Sequence, residues 1–168
     1  FAQYLLVLRY DDETQLLDYC RRSANPIGRL VLRVCGYRDE RLDQWSDRIC
    51  TALQLLNHLQ DLGDDLRTRG RIYFPRDGLA RFGVNEAALS ALAADPPVRA
   101  LVQHWAERLG REFAAGWPLT AAVRGRLRCE LRAILQGAAA VLARLRRCGY
   151  DPLAGAARLS KWDRLRCI

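Results

Sequence analysis

Leucine and alanine recur at three- and four-residue spacing along almost the whole chain, and this periodicity restricts what the chain can fold into. Such spacing places apolar residues on one face of an α-helix, whereas the alternation of Val, Ile and Thr that marks β-strands is missing. The pattern therefore predicts an all-α fold, and the 168 residues, 1–168, are expected to form a single domain without internal repeats. Proline and glycine divide the chain into five predicted helices. They lie at 14–34 (broken at Asn25-Pro26), 40–69, 85–95, from Pro97 to near 116, and from Pro118 to near 147.

Composition excludes several classes of protein. The longest apolar run, residues 134–143, is much shorter than the roughly 18 to 20 residues that span a bilayer, and residues 1–10 do not resemble a signal peptide. The six cysteines lack CxxC or Cys/His spacing, so we expect reduced thiols in a cytoplasmic protein rather than a zinc site. Because the sequence contains no methionine, we also expect it to be a piece of a longer protein.

The positive charge of the chain is carried almost entirely by arginine. There are 27 Lys and Arg residues against 19 Asp and Glu, a formal net charge of +8, and Lys161 is the sole lysine. Arginine suits phosphate oxygens, although an arginine bias of the source genome would give the same count, and charge alone does not distinguish nucleic acid, acidic lipid and diphosphate. Since helix-turn-helix, RNP and zinc patterns are missing, nucleic acid is not an expected partner.

The helix predicted at 40–69 carries a polar stripe. At 100° per residue, Gln54, Asn57, Asp61 and Asp65 fall within an arc of about 80°, opposite a leucine-rich face. A solvated helix face gives a similar pattern. However, solvated faces mix Lys, Arg and Glu, and the two aspartates repel each other near the helix C-terminus, where the dipole disfavours negative charge.

A bound cation would remove both penalties. Mg²⁺ takes oxygen ligands from one or two carboxylates together with phosphates and water, so Asp61 and Asp65 are candidate magnesium ligands. Arg67, Arg69 and Arg71 follow closely and are suited to further diphosphate oxygens. A second trio with the same spacing, Asp39, Asp43 and Asp47, lies in the first turns of the helix, where the dipole favours negative charge. Arg38, Arg41 and Arg48 are nearby, and surface charge and capping explain this trio.

Small residues surround the proline break of the first predicted helix. Ser23, Ala24 and Gly28 would let another helix or a ligand approach closely. Tyr19 and Tyr73 are candidates for lining an apolar pocket, where an aromatic face stabilises a cation by about 0.5 to 2 kcal/mol, although each taken alone is more typical of a core tyrosine with a hydrogen-bonded hydroxyl. His58 and His104 have no partners in the sequence pattern, and we expect structural roles for both.

Two segments, YCRRSANPIG at 19–28 and ALQLLNHLQDLGDDLRTRGRIYFP at 52–75, together resemble the squalene/phytoene synthase family of head-to-head prenyl synthases. The resemblance covers nearly the whole chain. The segments SANPIGRLVL, SDRICTALQL and LSKWD are most similar to the bacterial hydroxysqualene synthase branch of the family. Glutamine at position 60 (Gln60), where several relatives carry Arg, also fits this branch.

The resemblance implies an isoprenoid-synthase-type helical bundle that binds Mg²⁺ between two aspartate-rich helices. By motif position, Asp61 and Asp65 are metal ligands, and Tyr19 and Tyr73 are catalytic. The implied substrate-binding residues are Gln54, Asn57, Gln60, Arg71, Ser23, Ala24 and Gly28. The first aspartate-rich motif should precede Tyr19 and is missing, and Tyr4 stands where an acidic residue is expected, so the N-terminal helices are expected to be absent and these 168 residues inactive alone.

The implied reaction converts presqualene diphosphate to hydroxysqualene with release of diphosphate, and it needs no NADPH. Two alternatives stay open: synthesis of presqualene diphosphate or phytoene, and a catalytically inactive helical remnant that binds prenyl diphosphate or a partner subunit. Because the substrate is hydrophobic, peripheral contact with the inner face of a membrane is compatible with this function. The sequence indicates no oligomeric state.

Overall fold

The computed structural model describes residues 8–91 and 93–153, and all regular structure within them is helical, as predicted. The sequence predictions for Tyr4 and for LSKWD concern residues outside these ranges. The helices are α1 (Glu13–Ser23), α2 (Asn25–Val34), α3 (Glu40–Arg69), α4 (Arg76–Phe82), a 3₁₀ turn (Glu86–Ser90), α5 (Pro96–Gly116), α6 (Leu119–Ala122) and α7 (Gly125–Arg147). No helix within the described ranges is both long enough and apolar enough to cross a bilayer.

Helix α3 begins and ends where the sequence predicts because both ends have strong local signals. The Asp39 side chain accepts a hydrogen bond from the Arg41 backbone N–H at 2.7 Å, which caps the N-terminus. At the other end Gly70 adopts the left-handed conformation, with φ of 62°, and its N–H donates to the Leu66 carbonyl.

Two short connections differ from the prediction. The helix predicted to run on from Pro118 is interrupted, because Val123 is extended and Gly125 has φ of 60°, so that α6 ends at Ala122 and α7 starts afresh. The Arg128 guanidinium donates to the carbonyls of Val123 and Ala121, which fixes this corner. The short helix predicted at 85–95 is a five-residue 3₁₀ turn, because Asp95 already caps α5.

Helix α3 lies in the centre, packed between α5 on one side and α2 on the other. Two glycines permit this packing. A Cβ on Gly116 would lie 2.5 Å from Ile49 Cγ1, and a Cβ on Gly28 would lie 2.4 Å from both Cys50 Sγ and Ser46 Oγ. The helices therefore approach more closely than a side chain at either position would allow.

Ion pairs between α2 and α3, together with the predicted capping, account for the first aspartate trio. Asp47 pairs with Arg29, and Asp43 pairs with Arg33, both on α2, while Asp39 is the cap of α3. Asp43 is also buried rather than on the surface, and the hydrogen bond from Arg33 holds the pKa of its carboxyl below the usual range. These aspartates join two helices, a role that the local sequence does not reveal.

Candidate functional site

A groove of about 760 Å³ lies between α1, α2, α3 and α7. This volume is within the range of pockets that enclose small organic ligands. Most of its lining is apolar and comes from four helices and the loop before α7; these side chains are Ile27, Val31, Leu32, Ile49, Leu53, Leu119, Val123, Leu127, Leu131 and Ile134. The groove therefore presents an extended apolar surface that is suited to a hydrocarbon chain.

One wall of the groove is polar. Tyr19, Arg22, Gln54 and Asn57 contribute to it from α1 and α3. The Gln54 carboxamide nitrogen donates to the Tyr19 hydroxyl at 3.5 Å, while Asn57 is exposed. Because Asp61 lies one turn beyond Asn57 on the same face of α3, the polar wall leads from the groove toward the aspartates.

The predicted small residues form another part of the wall. Ser23, Ala24 and Gly28 all line the groove at the junction of α1 and α2. Pro26 in the first turn of α2 separates the two helices, and the Ser23 hydroxyl donates to the Tyr19 carbonyl at 2.8 Å. The close approach predicted for this segment is seen at Gly28, where an added Cβ would lie 2.4 Å from Ser46 Oγ and Cys50 Sγ of α3.

Asp65 lies in a buried polar cluster next to the start of the connector after α3. Its Oδ2 accepts a hydrogen bond from the Tyr73 hydroxyl at 2.8 Å, and its Oδ1 accepts one from Arg69 at 2.6 Å. The guanidinium of Arg71, itself buried, lies 5.8 Å from the centre of the Tyr73 ring. Tyr73 therefore binds the second aspartate rather than lining the groove.

His58 connects this cluster with the groove. Its ring stacks on that of Tyr73 with centroids 3.5 Å apart and planes at 7°, and its Nε2 lies 3.0 Å from the Gln54 carboxamide nitrogen. Burial, followed by the nearby charge of Arg71, lowers the pKa of His58 from 6.5 to about 3, so the ring is neutral.

The structure thus brings together some of the predicted residues and separates others. Six of them line the groove: Tyr19, Ser23, Ala24, Gly28, Gln54 and Asn57. Five lie outside its lining, namely Gln60, Asp61, Asp65, Arg71 and Tyr73. The sequence missed Arg22 and the α7 face of the groove. It also missed the contacts of His58, although the four-residue spacing from Gln54 was a usable signal.

Asp61 and Asp65 fit Mg²⁺ in ligand chemistry. They are two carboxylates one helical turn apart, and two carboxylates with phosphate and water oxygens are sufficient for this ion. Asp65 is held by Arg69, whose side chain is 58% exposed and can move away from the carboxylate. Within 8–91 and 93–153 no group of three or more His, Cys, Asp or Glu side chains is placed to share an ion.

Comparison with known proteins gives consistent matches. The squalene/phytoene synthase family model matches residues 1–166. A hydroxysqualene synthase of Rhodopseudomonas palustris is 38% identical, and the match covers 74% of this chain and 42% of the relative. A phytoene synthase of Thermus thermophilus is 35% identical, and the match covers 94% of this chain and 53% of the relative. The crystal structure of squalene synthase HpnC from Alicyclobacillus acidocaldarius is 40% identical, with a TM-score of 0.83 over 89% of this chain and 56% of that one. The chain thus spans about half the length of these relatives.

Proposed function

The chain belongs to the squalene/phytoene synthase family, and we propose that it acts in a Mg²⁺-dependent enzyme that converts presqualene diphosphate to hydroxysqualene. The observation that carries this proposal is the groove, whose apolar lining ends at a polar wall that continues along α3 to Asp61 and Asp65. An amphiphile with a long hydrocarbon and a diphosphate requires these two surfaces next to each other.

The groove and the aspartates beyond its polar wall each have a role in this reaction. The apolar side chains bind the hydrocarbon and exclude bulk water, while Asp61 and Asp65 would hold Mg²⁺. When bound there, Mg²⁺ would supply positive charge to the diphosphate leaving group. Arg71 and Arg69 stabilise the released diphosphate, and the Tyr19 ring faces the carbocation that remains. The cation rearranges, and water adds to it with loss of a proton, so no reductant such as NADPH is consumed.

Two alternatives to this reaction stay open. The similarity to a phytoene synthase favours head-to-head joining of two prenyl diphosphates, which uses the same groove and metal ligands. From another class, the chain could be a catalytically inactive remnant that binds prenyl diphosphate or a partner subunit. Product analysis distinguishes the first alternative, since hydroxysqualene, squalene and phytoene differ in mass and only squalene formation depends on NADPH.

Substitution of the aspartates tests the metal role. In the full-length protein, Asp61→Asn and Asp65→Asn are each expected to reduce Mg²⁺-dependent diphosphate release from presqualene diphosphate by about 100-fold or more, since each removes a charged ligand. Asp77→Asn is the matched control, because Asp77 is exposed on α4 and lies outside the groove lining. Unchanged turnover in both test variants would refute the role. The 168 residues alone are expected to show little turnover, because they carry a single aspartate-rich wall.

We also propose a cytoplasmic location with peripheral contact to the membrane. Along α2 an apolar stripe at helical spacing is exposed to solvent and adjoins the groove: Ile27, Leu30, Val31 and Val34. Such a stripe is suited to insertion into a lipid surface. Co-sedimentation with anionic vesicles tests this, and equal sedimentation of wild type and Leu30→Glu would contradict it.

A further inference from the structure

His58 is the residue through which the groove and the Asp65 cluster touch. On one side its ring covers that of Tyr73, whose hydroxyl donates to Asp65. On the other side its Nε2 lies 3.0 Å from the Gln54 nitrogen, and Gln54 in turn reaches the Tyr19 hydroxyl. His58 itself is only 7% exposed and does not line the groove, so it acts on the groove through neighbours.

The contact with Gln54 restricts the protonation of the ring. A carboxamide nitrogen can only donate, so His58 Nε2 must accept, and the imidazole is neutral with its proton on Nδ1. If the carboxamide is turned by 180°, its oxygen accepts a hydrogen bond from Nε2–H of the other neutral tautomer. Each neutral tautomer of the buried ring therefore pairs with one orientation of the Gln54 carboxamide, and the ring holds the carboxamide in that orientation. Stacking on Tyr73 prevents the ring from turning away.

We propose that His58 is a positioning residue that fixes the Gln54 carboxamide, and through it the Tyr19 hydroxyl, at the polar wall of the groove. The consequence is that the wall facing the ligand is preorganised before binding, so less freedom is lost when a ligand arrives. The proposal concerns Gln54 orientation in the free chain, and it rests on the proposed function only for its effect on ligand binding.

Nuclear magnetic resonance of the ligand-free chain tests the orientation directly. The side-chain amide signals of Gln54, assigned by their loss in Gln54→Leu, are expected to be displaced from those of exposed glutamines. His58→Phe keeps a ring over Tyr73 but removes the acceptor, and it should move these signals to the exposed range. His58→Gln restores an amide at the same reach and should keep them displaced. Identical Gln54 signals in wild type and His58→Phe would overturn the proposal.

Binding of farnesyl thiodiphosphate in the presence of Mg²⁺, measured by calorimetry, tests the consequence. His58→Phe is expected to weaken binding about 3- to 10-fold, the effect of one hydrogen bond, and His58→Gln to restore it. Leu109→Val is the control for a general loss of stability, because Leu109 is buried in α5 away from the groove, and it should leave affinity unchanged. Unchanged affinity of His58→Phe for the probe would refute the statement that His58 preorganises the polar wall for ligand binding.

Two further results keep the test decisive. If wild type does not bind the probe, the proposed function fails, and the amide signals still decide whether His58 positions Gln54. If His58→Phe does not fold, His58→Leu replaces it, because leucine also lacks an acceptor for the Gln54 carboxamide, and it should move the Gln54 signals and weaken binding to a similar extent. Unchanged Gln54 signals in His58→Leu would then overturn the proposal.

Discussion

Asp65 shows how strongly one buried carboxylate depends on its partners. It is 6% exposed, and both of its oxygens accept hydrogen bonds, from Tyr73 and from Arg69. Since Arg69 is largely exposed, the buried Tyr73 hydroxyl is the more permanent of the two donors. A carboxylate that loses such a donor bears an uncompensated desolvation cost.

Replacement of Tyr73 by phenylalanine measures this dependence. Tyr73→Phe is expected to lower the free energy of unfolding by about 1.5–3 kcal/mol, the range for a bond to a charged group. Tyr37→Phe is the matched control, since Tyr37 OH accepts from the exposed Arg124 N–H and its loss should cost less than about 1 kcal/mol. Urea unfolding at neutral pH gives both values, and equal losses would contradict the argument.

The neutral state of His58 predicts a dependence of stability on pH. The unfolded chain takes up a proton near pH 6.5, whereas the folded chain does so near pH 3, so stability falls as the pH decreases between these values. Between these pH values the unfolded chain binds nearly one proton more than the folded chain at His58, so the unfolding free energy falls by up to about 1.4 kcal/mol for each pH unit. His58→Gln cannot take up this proton. We therefore expect the unfolding free energy of wild type to fall more steeply than that of His58→Gln between about pH 6.5 and pH 5, and parallel curves would refute this.

At the scale of elements, the contact of α2 with α3 decides the width of the groove. The two helices meet at Gly28, where no side chain can be accommodated beside Ser46 and Cys50. The ion pairs of Arg29 and Arg33 with α3 aspartates hold the same two helices together on another side. Groove shape therefore depends on one small residue and two charged pairs.

Gly28→Ala tests this contact. The added methyl group is expected to push α2 from α3 and to lower the unfolding free energy by about 1–3 kcal/mol. Gly110→Ala in α5 is the control, because nothing lies within 4 Å of its added Cβ, and it should raise stability by about 0.5–1 kcal/mol. Thermal and urea unfolding distinguish these opposite signs. A stabilised Gly28→Ala would show that α2 can move without cost.

For the whole molecule, the decisive feature is that segments distant in sequence share one groove. Leu131 of α7 faces side chains of α2 and α3 across it. Leu131→Trp is expected to fill the groove and to weaken binding of farnesyl thiodiphosphate by about tenfold or more. Gln136→Trp, exposed on the same helix and outside the groove lining, should bind like wild type. Equal affinities of the two variants would place the ligand elsewhere.

The sequence by itself determined the helices and the candidate polar stripe. Periodicity, the Asp39 cap and the Gly70 end are local signals, so α3 could be predicted from its own residues. Helix periodicity also predicted that Gln54 and Asn57 share a face of α3, because residues one turn apart on a helix point the same way. Tyr19, Ser23, Ala24 and Gly28 were singled out by their residue types and by the family resemblance, and the structure places all six in the lining of one groove.

Only the tertiary structure decided which side chains meet across helices. It directs Tyr73 to Asp65 instead of the groove, pairs Asp43 and Asp47 with α2, and gives His58 contacts on both sides. It also supplies the α7 wall, which no local pattern connects with α2 or α3. The physical reason is that a helix fixes the direction of its own side chains, whereas burial, close packing and the choice of a hydrogen-bond partner depend on what the rest of the chain brings against them.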